Sequence, residues 1–339
     1  MFEQETLAII FAGLMAFSIL VYAILDGYDL GVGMLLPLNN QKDSDSMIAS
    51  IGPFWDANET WLVLAVGLLL IAFPSAHSMI LKALYLPTVF MLIGLILRGV
   101  AFDFRAKAAF SHKPTWDKAF KLGSYLASSA QGYMLGMYVM GFEQNITSII
   151  FALFSAVGVS AAYCFIGSTW LIMKTEGNLQ LRAIRYAKRT LIISFVGISL
   201  VSITNLLIDN SIYQRWLSSS ISLLLIIPTL VIAVFAFAWH QINKLTQYQV
   251  AHADNVNKPN EATPFLACIV IFSLSFFGLA ISFYPYVVPN QLTIWQSVAA
   301  AESLNFLLYG AIVVIPSIIA YTVFSYWVFW GKVEDLRYY

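Results

Sequence analysis

The chain has 339 residues, of which 60% are hydrophobic and only 11% are charged, and its formal net charge is zero. A soluble domain carries about 25% charged residues, so a chain this apolar cannot keep enough polar surface toward water and must face lipid. The zero net charge argues against long-range attraction to nucleic acid. The two cysteines, Cys164 and Cys268, lie in apolar runs and argue against a disulfide framework or a cysteine-based metal site.

Apolar runs long enough to cross a membrane recur along the whole sequence, separated by short polar connections. We see no internal repeat and no soluble domain, so residues 1–339 are predicted to form a single all-α transmembrane domain of about nine helices. The predicted helices lie near residues 7–36, 48–73, 79–106, 119–141, 147–173, 190–208, 216–239, 264–286 and 303–330.

Lysine and arginine are distributed unequally between the two sides of the predicted membrane domain. The first, third, fifth and seventh connections and the C-terminal tail are rich in these residues, whereas the opposite side has only Lys82 and Arg215. Cytoplasmic connections carry the excess of basic residues. The N-terminus is therefore predicted to lie outside and the C-terminus in the cytoplasm, which an odd number of helices also requires.

Ionisable residues lie within the apolar part of the first three predicted helices. Asp26 and Asp29 come late in the first helix, and Asp56 and Glu59 come early in the second. A spacing of three places each pair on one helix face. Because the two helices run in opposite directions, all four carboxylates are expected in the cytoplasmic half, with Arg98 of the third helix as their counter-charge. Two further charged residues follow it, Asp103 and Arg105.

Two interpretations of these charges remain open. A carboxylate at the centre of a transmembrane helix costs roughly 2.5–3.5 kcal/mol, so it needs a partner, water or a function. The charges could form a structural ion-pair network that locks three helices together. They could also form a proton route, because clustered carboxylates in a low dielectric have raised and coupled pKa values. One network can serve both purposes.

Glycines, tryptophans and histidines complete the set of residues that the sequence singles out. Gly27 and Gly31 have the spacing that allows close helix approach. Trp55 and Trp61 fit packing or interfacial anchoring, or they line a pathway. The histidines are expected in connections or at helix ends, where they would not serve as axial haem ligands within a helix; they are His77, His112, His240 and His252.

Three stretches together resemble the signature motifs of subunit II of cytochrome bd-type quinol oxidases. They are LDGYDLGVG at residues 25–33, WDANETW at 55–61 and RGVAFDFR at 98–105. The segment from Pro285 to Pro289, Trp295 and the short tail after the ninth helix are also similar. The sequence departs from the family pattern at Ala57, where Gly is usual, without loss of an ionisable group. The modest length resembles the short, cyanide-insensitive branch.

The resemblance implies a fold of two four-helix bundles plus one peripheral helix, in a bacterial plasma (inner) membrane. It implies a partner, subunit I, which holds haems b and d and the quinol site, and it allows small accessory single-helix subunits. The complex would oxidise quinol and reduce dioxygen to water, with protons taken from the cytoplasm; this chain alone would bind no cofactor or metal and would be inactive. By resemblance, Asp56 is the best candidate for a proton-path residue, and Trp61 is expected near a dioxygen path.

Two other classes of function are compatible with intramembrane carboxylates. A proton-coupled secondary transporter would use them for substrate transport, although the sequence lacks the repeats and the paired broken helices of such proteins. A structural membrane scaffold would use the charges only to hold helices together.

Overall fold

The computed structural model describes residues 2–107, 109, 112–208, 213–214, 216, 222–251 and 259–333. A short antiparallel hairpin, β1 (Tyr286–Val288) and β2 (Leu292–Thr293), is the one pair of strands in these ranges. The helices of the same ranges are α1 (Gln4–Leu35), α2 (Gln41–Ile51), α3 (Trp55–Ala72), α4 (Pro74–Ala83), α5 (Tyr85–Lys107), α6 (Lys113–Val139), α7 (Ile146–Lys174), α8 (Gly177–Ile208), α9 (Ser222–Ala251), α10 (Thr263–Phe283), α11 (Ile294–Ser297) and α12 (Ala301–Val328).

Eight of the described helices are long and apolar enough to cross a membrane, namely α1, α3, α5, α7, α8, α9, α10 and α12. The remaining predicted span, 119–141, falls on α6, which has 27 residues. This helix is more polar because Ser124, Ser128 and Gln131 face neighbouring helices and not lipid. The all-helical membrane fold expected from the sequence is therefore confirmed.

Several helix boundaries differ from those expected from hydropathy. The predicted helix 48–73 is divided into α2 and α3, because Pro53 lacks the backbone N–H that would continue the helical hydrogen bonds. The predicted helix 79–106 is likewise divided into α4 and α5, while α8 begins at Gly177 and not near 190. Part of the predicted start of the helix 216–239 lies outside the described residues, and α9 extends to Ala251. Hydropathy locates the membrane-crossing part of a helix, whereas the helix itself continues into water.

Helix α1 lies at the centre of the fold and contacts α3, α6, α7 and α10. Its glycines allow very close packing against α7. A Cβ atom added at Gly31 would lie 1.8 Å from the backbone oxygen of Tyr163, and one added at Gly167 would lie 2.6 Å from the carbonyl carbon of Gly31. Gly27 faces the ring of Tyr163. The close helix approach predicted for Gly27 and Gly31 is thus confirmed, and it fixes the position of α1.

Helix α12 lies at the periphery of the fold. Its large side chains are mostly exposed, for example Phe306 at 78% and Trp327 at 72%. Near its C-terminal end, however, Tyr326 points inward and stacks on Phe54 with ring centroids 4.5 Å apart. The last helix therefore reaches the interior at the same end of the fold as the N-terminus of α3.

Candidate functional site

A buried ion pair joins α1 to α5. Arg98 and Asp26 are both 0% exposed, and Arg98 Nη1 lies 2.6 Å from Asp26 Oδ1. On the other side of the guanidinium, Nη2 lies 3.3 Å from Glu59 Oε2, and the Glu59 side chain is 24% exposed. Buried charges need such partners, because an isolated ion in an apolar interior is strongly unfavourable. One arginine thus holds carboxylates from two different helices.

Asp29 lies close to this ion pair but is held in another way. It is fully buried, and its Oδ2 accepts a hydrogen bond of 2.8 Å from Asn58 Nδ2 of α3. Its Oδ1 has no hydrogen-bond partner among the described residues. We call Asp26, Asp29, Glu59 and Arg98 the acid cluster. Within it, Asp26 and Glu59 contact a cation, whereas Asp29 contacts a neutral amide.

The amide of Asn58 takes part in a small ring of hydrogen bonds with two tyrosines. Asn58 Nδ2 lies 2.9 Å from the Tyr28 hydroxyl, which lies 2.6 Å from the Tyr326 hydroxyl. The Tyr326 hydroxyl in turn donates to Asn58 Oδ1 at 3.3 Å. The ring connects α1, α3 and α12 beside the acid cluster, and Tyr28 also stacks on Trp170 with ring centroids 4.3 Å apart.

A second group of polar side chains extends from Asp26 between α1, α6 and α7. The Gln131 amide donates to the Tyr22 hydroxyl at 2.7 Å and accepts from the Tyr163 hydroxyl at 2.7 Å. Both tyrosines interact electrostatically with Asp26. Gln131 and both tyrosine hydroxyls are therefore hydrogen-bonded, which is what burial of such groups requires.

Asp56 stands apart from the buried acids. Its side chain is exposed, in the first turn of α3, where the helix dipole favours a negative charge. It lies three residues before Glu59 and is close enough for the two carboxylates to interact. The sequence analysis placed four carboxylates together; the structure brings together Asp26, Asp29 and Glu59 and leaves Asp56 at the surface beside them.

Asp103 and Arg105 do not join the acid cluster, although the sequence analysis grouped them with Arg98. Asp103 is five residues from Arg98, which turns it about 140° away around the helix, and it is exposed. Arg105 lies about 10 Å further along α5. It forms a separate ion-pair network with the buried Asp117, at 2.5 Å, and with the partly exposed Asp45, at 2.8 Å. The rotation of the helix thus keeps Asp103 away from the acid cluster, and its rise along the axis keeps Arg105 away.

Both tryptophans singled out in the sequence pack against other aromatic rings. Trp61 is 2% exposed and meets Phe17 edge-on at a centroid distance of 5.8 Å, and its Nε1 has no hydrogen-bond partner among the described residues. Trp55 is half-buried and packs on Phe102 at 4.8 Å. These contacts agree with packing roles.

The histidines were expected in connections or at helix ends, and this is wrong for His240. It lies inside α9, with an exposed side chain, because α9 continues well beyond the apolar run. His77 lies within the short helix α4, and His112 immediately precedes α6. His252 lies outside the described residues. Within the described ranges, no group of three or more His, Cys, Asp or Glu side chains is placed to hold a metal ion.

Sequence reasoning missed the neutral residues that organise the site. Asn58 and Tyr28 lie within the quoted motifs, so their presence beside the acids was visible, but their hydrogen bonding was not. A single amide within a predicted membrane span was the available signal for Gln131. Tyr326 gave no signal, because it is 268 residues from Asn58 in the sequence.

The fold and the buried charges define a class of protein: a multi-pass, all-helical membrane protein with an ion pair and a hydrogen-bond ring inside its helical core. The family described as cytochrome bd terminal oxidase subunit II matches residues 7–329. The chain belongs to this family, and it is therefore a multi-pass membrane subunit of a bacterial respiratory oxidase complex. Membership also implies subunit I as a partner.

Comparison with individual proteins supports this membership over nearly the whole chain. The chain is 26% identical to cytochrome bd-I ubiquinol oxidase subunit 2 of Escherichia coli K12, over 99% of this chain and 98% of that protein. It is 25% identical to cytochrome bd ubiquinol oxidase subunit 2 of Bacillus subtilis, over 92% and 93%. A chain in the structure of bd oxidase from Geobacillus thermodenitrificans is similar with a TM-score of 0.76, at 15% identity over 96% of this chain and 99% of that one, which shows the shared fold.

Proposed function

We propose that this chain is the haem-free subunit II of an oxidase that couples quinol oxidation to the reduction of dioxygen to water. In this proposal subunit I holds haems b and d and the quinol site, while this chain supports subunit I and contributes a proton path from the cytoplasm. The full-length match to two proteins named as ubiquinol oxidase subunits supports the reaction.

The chemistry of the described residues supports placing the haems on subunit I. The iron of a haem is often held by an axial histidine. The three described histidines, His77, His112 and His240, are half-buried or exposed. The buried acid cluster offers only carboxylates and a guanidinium, which suit protons better than haem iron.

The proposed orientation has the N-terminus outside and the C-terminus in the cytoplasm. Several basic residues lie at the end of the fold where α1 ends and α2 begins. Lys121 donates to the Leu36 carbonyl, and Arg182 pairs with Asp43 at 3.0 Å. Lys332 likewise donates to the Thr175 carbonyl at 2.8 Å. This concentration of cations at one end favours that end as cytoplasmic. Three other basic residues of the sequence argument lie outside the described residues, namely Arg215, Lys258 and Arg337.

The observation that carries the proton-path proposal is the graded burial of the carboxylates. Asp56 is exposed, Glu59 is 24% exposed and Asp26 is fully buried, and Arg98 contacts both of the last two. A proton taken up at Asp56 would meet Glu59 one helical turn further into the membrane, followed by the groups around Arg98. In this proposal Asp56 is the uptake site, and Glu59, Asp26 and Asp29 are the interior acids.

A purely structural role for the cluster is supported by the 2.6 Å contact between Arg98 and Asp26, which joins α1 to α5. The two roles make different demands on Asp56. Because Asp56 is exposed and makes no ion pair among the described residues, a structural role predicts that its neutralisation has little effect. A proton-uptake role predicts a large effect on turnover.

The test is Asp56→Asn in the assembled oxidase, with oxygen consumption and the haem absorbance spectrum measured on the same preparation. We expect slower oxygen consumption and an unchanged haem spectrum. Glu176→Gln is the matched control, because Glu176 is another exposed carboxylate, in the turn that follows α7. Normal turnover in Asp56→Asn would remove Asp56 from the proton route and is the result that a purely structural role of the cluster predicts, whereas failure of the complex to assemble would contradict the premise that Asp56 itself makes no structural contact.

A further inference from the structure

The hydrogen-bond ring beside the acid cluster has a direction that can be worked out by counting hydrogens. The Asn58 amide nitrogen has two hydrogens, and its two nearest acceptors are Asp29 Oδ2 at 2.8 Å and the Tyr28 hydroxyl at 2.9 Å. The Leu25 carbonyl, at 3.4 Å, is a weaker third neighbour. Since the Tyr28 oxygen accepts from Asn58, its own hydrogen is free to be donated to Tyr326.

The remaining bond closes the ring. Tyr326 accepts from Tyr28 at 2.6 Å and donates to Asn58 Oδ1 at 3.3 Å. Each of the three side chains therefore gives one hydrogen to the next. If the amide oxygen and nitrogen of Asn58 exchanged places, the two hydroxyls could rotate and the ring would run in reverse, but the amide oxygen would then face the Leu25 carbonyl and the N–H donated to Asp29 would be lost. The two acceptors on α1 therefore set which end of the amide faces that helix, and the ring holds the Asn58 side chain in place beside Asp29.

Asp29 is the acid in the cluster on which such a donor has the greatest effect. Three carboxyl groups surround one guanidinium, and the two Arg98 contacts are made by Asp26 and Glu59. Asp29 is 0% exposed and has no cation in contact. The ionisable groups around it are Asp26 and Tyr28 on its own helix, Glu59 on α3, Arg98 on α5 and Tyr326 on α12.

A hydrogen bond that is donated to a carboxylate favours its ionised form. We propose that Asn58 is a positioning residue that makes it easier for Asp29 to release a proton, and that Tyr28 and Tyr326 hold the Asn58 side chain in the position from which it donates to Asp29. The proposal rests on the proposed function in one respect, namely that Asp29 exchanges a proton with the rest of the path.

The experiment is an infrared pH titration of the carboxyl band of Asp29 in the assembled oxidase, with the band identified by its loss in Asp29→Asn. Asn58→Leu removes the donor at similar volume. We expect the midpoint of the titration to rise by about one pH unit, the size of effect that a hydrogen bond to a charged group produces. The pH profile of oxygen consumption should move in the same direction.

Two tyrosine variants of α12 test the role of the ring. Tyr326→Phe removes one hydroxyl and should raise the midpoint by less than Asn58→Leu does. Tyr321→Phe is the matched control, because Tyr321 lies on the same helix with its side chain 59% exposed, and it should leave the midpoint unchanged. A shift in Tyr321→Phe equal to that in Tyr326→Phe would overturn the role of the ring.

An unchanged midpoint in Asn58→Leu would overturn the proposal for Asn58. If Asn58→Leu does not assemble, Tyr326→Phe decides the question, and an unchanged midpoint in that variant overturns the proposal. The proposed function fails in a different way: wild-type oxygen consumption in Asp29→Asn would remove Asp29 from the proton path, while the infrared titration would still test its hydrogen bond to Asn58.

Discussion

The contact between α1 and α7 at Gly31 is so close that replacement of this glycine by alanine has a calculable effect. The new Cβ would lie 1.8 Å from the Tyr163 carbonyl oxygen, whereas real Cβ contacts essentially never fall below 3.0 Å, so the helices must separate by about 1.2 Å there. The obstructing atoms belong to a helical backbone, so no rotation of a side chain relieves the clash. Overpacking costs about 1–3 kcal/mol, and a backbone obstruction puts Gly31→Ala at the upper end, about 3 kcal/mol.

The expected result is a lower yield of assembled oxidase and a clearly lower apparent melting temperature in detergent. The separation also moves Tyr163 and the part of α1 that carries Asp26 and Asp29, so turnover should fall in the complexes that do assemble. Gly13→Ala is the control on the same helix, because a Cβ at Gly13 would meet nothing within 4 Å. If Gly31→Ala assembled and melted like Gly13→Ala, the inferred backbone contact between α1 and α7 would be refuted.

Two further predictions concern charge and helix capping. Arg98→Met leaves the Asp26 charge buried without its cation, at a cost of about 3–5 kcal/mol, so the yield of haem-containing complex should fall sharply and should partly recover in Arg98→Met/Asp26→Asn. Asn145→Ala removes the side chain that caps α7 by accepting from the Ser148 N–H at 2.8 Å, and it should cost about 1 kcal/mol in thermal stability with no change in turnover.

Each of these predictions can fail in a recognisable way. A double variant no better than Arg98→Met would mean that an unpaired Asp26 charge is not the source of the defect. A loss of melting temperature in Asn145→Ala as large as that in Gly31→Ala would mean that the start of α7 contributes more than a helix cap.

The membrane fold was predictable because it depends on local properties of the sequence. Runs of apolar residues identify segments that must face lipid, and basic connections indicate a side. The helix boundaries were harder to predict from the sequence, because the break at Pro53 and the extension of α9 to Ala251 depend on how helices end outside the apolar layer. Helix α6 was predicted from the run at 119–141, in spite of the polar side chains that it turns toward neighbouring helices.

The site was predictable only in part, for a related reason. A spacing of three predicted Asp26 and Asp29 on one face of α1, and Arg98, which the sequence analysis named as the counter-charge, lies 2.6 Å from Asp26. The ion pairs of Arg105 could not be predicted, because its partners Asp45 and Asp117 lie on other helices and reach it only in the folded chain. The exposure of Asp56 likewise depends on which side of α3 is covered by α1.

The sequence by itself determined that this chain lies in a membrane, carries acids within its first helices and belongs with the second subunit of bd-type oxidases. Those properties follow from composition and from short motifs, in which every interacting residue is near in the chain. Only the tertiary structure decided that Asp26 forms the ion pair with Arg98, whereas Asp29 accepts a hydrogen bond from the Asn58 amide. The same amide is hydrogen-bonded to Tyr28 and Tyr326. The two tyrosines are 298 residues apart, and their contact depends on the relative rotation and depth of α1 and α12, which no local pattern encodes.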